Sequence, residues 1–231
     1  AVATASQDPA TFDECVEKGN EALDTMLAAM ANIKEAQAAS PPPDNLAALQ
    51  AEFDEGAKTG ERLLRRALFL ADRNLGDETV WRIQTQLGIL YYARGRSFEA
   101  AVLGEHLMET APKYAGSRTM AIRGLDAYRQ AYNAAPPAAR QFERGQLVRM
   151  AESIARVWPN EPETAEAWNI LIAIAVTENR IDQARTYAER IALNSPRRAE
   201  AELRVGLALY IDYVTAMNAP NKDSRPADLP A

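Results

Sequence analysis

Two stretches of the chain, 81–112 and 168–196, carry the same spacing of apolar, small and proline residues, and an internal repeat restricts the fold more than any other sequence feature. In the first, Leu87 and Gly88 are followed by Tyr91, Ala100 and Pro112. In the second, Leu171 and Ile172 are followed by Ala175, Ala184 and Pro196. Leu87 and Leu171, Ala100 and Ala184, and Pro112 and Pro196 are each 84 residues apart, so the two stretches are in register. Arg94-Gly95-Arg96 and Asn179-Arg180 interrupt them near the middle, which makes each a pair of helices joined by a short turn.

The rest of the chain extends this pattern. Ala, Leu, Glu, Arg and Gln dominate, no β-branched alternation occurs, and the prolines cluster between apolar-periodic segments. An all-α fold is expected, with helices over about 12–39, 45–72, 77–92, 97–110, 117–134, 138–157, 163–178, 181–194 and 197–217. Phe12, Val16, Leu23, Met26, Leu27, Met30 and Ile33 form a 3.6-residue stripe along the first. Ser40-Pro41-Pro42-Pro43-Asp44 ends it, with Asp44 placed to cap the second. Gly56 and Gly60, four apart, either admit a close neighbour or are merely tolerated. Ser97 is expected to cap the fourth helix.

This gives four helix pairs and one unpaired helix. The ninth carries Leu203, Leu207, Tyr210 and Val214 on one face and Val205, Leu209, Ile211 and Tyr213 besides, more apolar surface than a solvent-facing cap should show. The expectation is that the native chain continues with a second helix. Segment 1–10 is expected to be disordered, 11–217 to form one helical-repeat domain whose first hairpin (11–76) is atypical, and the Pro-rich 218–231 to be a flexible linker.

A net charge of −6 over 231 residues offers no general attraction to phosphate backbones or anionic lipid, so nucleic acid is not an expected partner. The longest uncharged apolar run, 170–176, is far short of a bilayer span, and direct membrane insertion is not expected. Cys15 is the only cysteine, which excludes an intrachain disulfide. The opening Ala-Val-Ala-Thr-Ala has the small-residue arrangement that a signal peptidase leaves behind. That favours a periplasmic or cell-envelope location, with the cytoplasm as the alternative.

At the repeated residues the chain resembles the tetratricopeptide repeat family. Counting from Trp81 as position 1, Leu87, Gly88, Tyr91, Ala100 and Pro112 fall at positions 7, 8, 11, 20 and 32, as the family pattern requires. Counting from Ala165, the residues Trp168, Leu171, Ala184, Ala188, Ile191 and Pro196 match at 4, 7, 20, 24, 27 and 32. Gly124 and Gly206 fit position 8 more loosely. The resemblance implies a right-handed α-α superhelix of about four helix pairs plus one further helix. It also implies a concave surface, lined by the first helix of each pair, that binds a protein or peptide segment. Its groove positions fall on Arg82, Thr85, Ile89, Tyr92, Arg118, Leu125, Tyr128, Asn169 and Tyr210. Rigid tyrosines and arginines are the side chains that supply affinity at such surfaces.

Nothing comparable points to catalysis. His106 is the only histidine, and neither a nucleophile elbow nor a phosphate-cradling glycine loop occurs. Paired acids such as Asp54-Glu55 and Asp77-Glu78 suit helix starts and solvated faces. The arginines of the second half are interleaved with acids. No catalytic residue, cofactor or metal is therefore expected. The sequence reading is a non-enzymatic interaction scaffold, possible in bacterial cell-envelope assembly or secretion. Its alternatives are a solenoid that positions substrate or partner for a larger enzyme, and a structural subunit of a multiprotein complex.

Overall fold

The computed structural model describes residues 9–39, 45–72 and 76–218. The expectations for 1–8, the proline stop with Asp44, Asn74-Leu75 and the tail beyond Asn218 lie outside these residues. Nine α-helices and no strand are found among the described residues: α1 (Phe12–Ala38), α2 (Leu46–Leu70), α3 (Asp77–Ala93), α4 (Ser97–Thr110), α5 (Ala115–Ala134), α6 (Arg140–Val157), α7 (Pro162–Thr177), α8 (Ile181–Glu189) and α9 (Pro196–Met217). They fall into two compact units, one up to Ala131 and one from Tyr132.

In the first unit α1 packs along α2, α2 against α3, and α3 against α4. Thr11 caps α1, its hydroxyl accepting from the Glu14 N–H at 3.3 Å, and Asp13 and Glu14 complement the positive helix end. Met26, Leu64, Ile83 and Leu90 are fully buried in one cluster with Cys15 and Ala57, each large side chain contributing about 1.5–3 kcal/mol by leaving water. Gly56 explains how α1 and α2 approach so closely. A Cβ there would stand 2.9 Å from the Ala22 carbonyl oxygen and 3.1 Å from the Met26 nitrogen, so of the two readings of this glycine the close approach holds.

In the second unit α7 packs against α6, α8 and α9, and α8 against α9. Leu147, Met150 and Ile154 of α6 are buried, as are Trp168, Leu171 and Ile172 of α7. Trp168 stacks on Tyr187 of α8 at 5.6 Å between centroids, with the Arg190 guanidinium 5.0 Å from its ring.

The repeat seen in the sequence reappears in the backbone. After α3, the N–H groups of Arg94, Gly95 and Arg96 donate to Leu90, Tyr92 and Tyr91. After α7, those of Glu178, Asn179 and Arg180 donate to Ile174, Val176 and Ala175, the same pattern 84 residues on. Gly95 and Asn179 both take a left-handed conformation (φ 69° and 55°), which glycine enters freely and asparagine more readily than other side chains. The links between pairs also recur. Ser117 at the start of α5 donates its hydroxyl to the Ala111 carbonyl at 2.7 Å, and Thr164 at the start of α7 donates to that of Trp158 at 2.6 Å, each closing the end of the preceding helix.

Several boundaries differ from the sequence expectation. Ser97 is the first residue of α4, not its cap: Arg96 holds that place and makes no side-chain cap bond. The third helix runs one residue further, to Ala93. α5 begins at Ala115, ahead of Ser117, because the Ser117 hydroxyl reaches back to Ala111 from inside the first turn. α6 starts at Arg140 because 138–139 belong to the turn after Pro136 and Pro137. α8 stops at Glu189 instead of Asn194. Its end tightens to i−3 bonds, the Arg190 and Ile191 N–H groups donating to the Tyr187 and Ala188 carbonyls, and the Arg198 guanidinium of α9 donates to the Ala188 and Ile191 carbonyls at 2.7 and 2.8 Å, which satisfies this helix end.

Candidate functional site

α3 and α5 run side by side in the same direction. A Cβ at Gly116 would stand 2.9 Å from the Thr85 hydroxyl, Met120 fills the space left by Gly88, and Tyr92 meets Asp126, so contacts advance along both helices together. Gly88 thus accommodates Met120 of α5 more than its own partner helix α4. Gly104 of α4 closes the arrangement from the other side: a Cβ there would lie 2.5 Å from the Met120 carbonyl oxygen.

Arg82, Thr85, Ile89 and Tyr92 follow a 3-4-3 spacing, which puts them on one stripe of α3. Arg82 is exposed, and the other three are half-buried. The Thr85 hydroxyl donates to the Trp81 carbonyl at 2.8 Å, so it is already used within the helix. Ile89 packs against the buried cluster of the unit.

Tyr92 anchors the polar part of this face. Its hydroxyl donates to Asp126 Oδ2 at 2.5 Å, and the Arg123 guanidinium lies 5.4 Å from the ring centroid. Asp126 also accepts from Arg129 Nε and Gln130 Nε2, both at 2.8 Å. Burial acts to raise the Asp126 carboxyl pKa, but the hydrogen bonds from Tyr92, Arg129 and Gln130 outweigh it and hold the group below its ordinary value. Burial and the bond to Asp126 push the Tyr92 phenol up, so it stays a neutral donor. The result is a fixed aromatic ring flanked by arginines.

The other expected groove residues are placed differently. Arg118 is half-buried on α5. Leu125 is fully buried and Tyr128 is 5% exposed, so neither offers area to a partner in this conformation. Asn169 and Tyr210 belong to the second unit. Asn169 is buried on α7, and neither its amide nitrogen nor its amide oxygen has a hydrogen-bond partner among the described residues. Tyr210 is 64% exposed on α9.

Sequence reasoning missed Arg123, Asp126 and Arg129. The spacing of 36 between Gly88 and Gly124 pairs Tyr92 with Tyr128, whereas the residue that meets Tyr92 lies 34 further along the chain. Nothing in the sequence alone marks an Asp-Arg pair on a helix as anything but a solvated i,i+3 contact.

Elsewhere in the first unit Glu61 of α2 receives Arg94 at 2.6 Å and Arg96 at 2.7 Å, which clips the α3–α4 turn to α2. Arg96 also pairs with Glu99 and lies 4.3 Å from the Tyr91 ring centroid. His106 is exposed, with Nε2 3.5 Å from Gln84 Nε2. Among the described residues no group of three His, Cys, Asp or Glu side chains is placed to hold a metal, and no helix is long and apolar enough to cross a membrane. No family model, curated protein or solved structure matches the chain.

Proposed function

We propose that this chain is a non-enzymatic, tetratricopeptide-like interaction scaffold that takes up a segment of a partner protein along α3 and α5. The observation that carries this reading is Tyr92, half-buried and held by Asp126 beneath the Arg123 guanidinium. A ring immobilised in advance loses little entropy on binding, and tyrosine and arginine are the residue types enriched where protein interfaces concentrate their energy. The recurring hairpin turns and helix-end links support a repeat architecture.

The reading is tested by capturing partners from envelope and soluble fractions with the native chain and with Tyr92→Ala. A stoichiometric partner lost in the variant, with helicity unchanged by circular dichroism, supports it. A partner retained by both Tyr92→Ala and Arg82→Glu would move the binding surface away from α3.

A further inference from the structure

Charge reverses along α2. The chain as a whole is acidic, with a net charge of −6, and the first half of this helix follows suit with Glu52, Asp54 and Glu55. Lys58, Arg62 and Arg65 then come at i, i+4 and i+7, which puts them on one stripe, and all three are exposed. Arg94, at the end of α3, reaches the same stripe. Together the four cations line a cleft of about 350 Å³, in which Glu61 is the one acid among the lining residues. Leaving Arg62 aside, Lys58, Arg65 and Arg94 set three positive charges against that single carboxylate. Glu61 also fixes the wall of the cleft. Its Oε2 accepts from Arg94 Nη1 at 2.6 Å, its Oε1 accepts from Arg96 Nη1 at 2.7 Å, and Arg65 Nη1 stands 3.6 Å from Oε1. Arg96 is held in turn by Glu99 and by the Tyr91 ring. The Arg94 guanidinium is therefore oriented in advance, and of its five N–H donors it is one on Nη1 that meets Glu61.

We propose that this cleft, between α2 and the turn that follows α3, binds a phosphate group, with Lys58, Arg65 and Arg94 as its ligands. Three features favour a compact dianion. A phosphate monoester carries about −1.5 to −2 charges at neutral pH, which offsets the excess left after Glu61. Guanidinium forks match phosphate oxygens two at a time, and the Lys58 ammonium adds a point charge beside them. Finally, the cations are bounded by acids on both sides, Asp54 and Glu55 one turn before Lys58 and Asp72 past the end of α2, all exposed. A long acidic segment would run onto those carboxylates, whereas a single phosphate group stays within the cleft. At physiological salt the Debye length is about 8 Å, so such a group feels the lining cations far more than the net −6 of the chain. A phosphorylated side chain and free inorganic phosphate share this chemistry.

The test is an NMR titration of the amide resonances at constant ionic strength with inorganic phosphate, with phenyl phosphate as the stand-in for a phosphorylated side chain, and with acetate as a monoanion. It is run on the native chain, on Lys58→Gln and Arg65→Gln, and on the control Arg185→Gln, which removes the same charge from an exposed position of α8. A phosphate probe should shift the amides of 58–65 and Arg94 to saturation. Lys58→Gln and Arg65→Gln should each weaken binding at least threefold with helicity and melting temperature unchanged, since both side chains face solvent, and Arg185→Gln should bind as the native chain does. Phenyl phosphate binding at least as tightly as inorganic phosphate assigns the cleft to a phosphorylated residue, and binding of inorganic phosphate alone assigns it to the free ion. No saturation by tens of millimolar of either phosphate overturns the proposal, as does acetate binding equally well. Binding indifferent to both α2 substitutions marks an adventitious ion only and overturns it too. Tyr92→Ala should leave the titration unchanged, so this proposal and the scaffold reading fail separately.

Discussion

Tyr92 of α3 donates a 2.5 Å hydrogen bond to Asp126 of α5, joining the two helices through one carboxylate that Arg129 and Gln130 also hold. The same bond fixes the ring that the proposed scaffold presents. Its removal should register in stability and in binding together.

Asp126→Asn is expected to cost about 1–2 kcal/mol at neutral pH, the range for a hydrogen bond to a partly buried charged group. The cost should depend on pH. In the folded chain the carboxyl pKa lies below its ordinary 3.8, so as pH falls the unfolded state takes up the proton first. The stabilisation is complete above about pH 4 and is lost as pH drops through the lower folded value. Urea titrations of native and variant protein at several pH values should show their difference shrinking toward the acid end. A difference constant from pH 7 to pH 3 would mean that Asp126 charge has no part in it.

Gly104 and Gly145 should respond oppositely to alanine. At Gly104 the new methyl meets the Met120 carbonyl oxygen at 2.5 Å, backbone that can yield only by moving α5, and a loss of about 2–3 kcal/mol is expected. At Gly145, on an exposed position of α6 with nothing within 4 Å, alanine should add about 0.5–1 kcal/mol through helix propensity. Thermal melts of the two single variants decide this, and equal shifts would deny the close α4–α5 approach.

Glu61→Gln should release the α3–α4 turn from α2. Arg94 and Arg96 keep access to water, so the loss should stay near 1 kcal/mol and diminish in high salt. Hydrogen exchange should show faster opening around Gly95, and protection unchanged there would indicate that the ion pairs carry no weight.

Asn169→Leu should leave stability unchanged or raise it by about 1 kcal/mol, because the side chain is buried and its amide has no hydrogen-bond partner to lose among the described residues. A clear drop in melting temperature would show that water or a ligand satisfies that amide.

The repeat register was legible in the sequence because it depends on local physics. A left-handed turn residue at Gly95 or Asn179, small residues at Ala100 and Ala184 and a proline after each pair are selected by the chain within one hairpin, and the backbone bonds recur at the same 84-residue offset. Helix existence followed from period and composition. Helix ends did not always follow: α8 stops at Glu189, where its ladder tightens to i−3 bonds and the Arg198 side chain, nine residues downstream, satisfies the Ala188 and Ile191 carbonyls.

What only the tertiary structure decided is which side chains of a helix face remain available. Tyr92 and Tyr128 look equivalent by spacing, yet Tyr92 is only half-buried and bonds Asp126 while Tyr128 and Leu125 are buried. Periodicity assigns a residue to a face of its own helix, but burial depends on how closely another helix approaches, and that is set by contacts such as Met120 against Gly88 and Gly104. The sequence by itself determined the helices and the pairing of α1 with α2, α3 with α4 and α7 with α8; the distances between helices, fixed by glycine and side-chain volume across the unit, determined what those helices present.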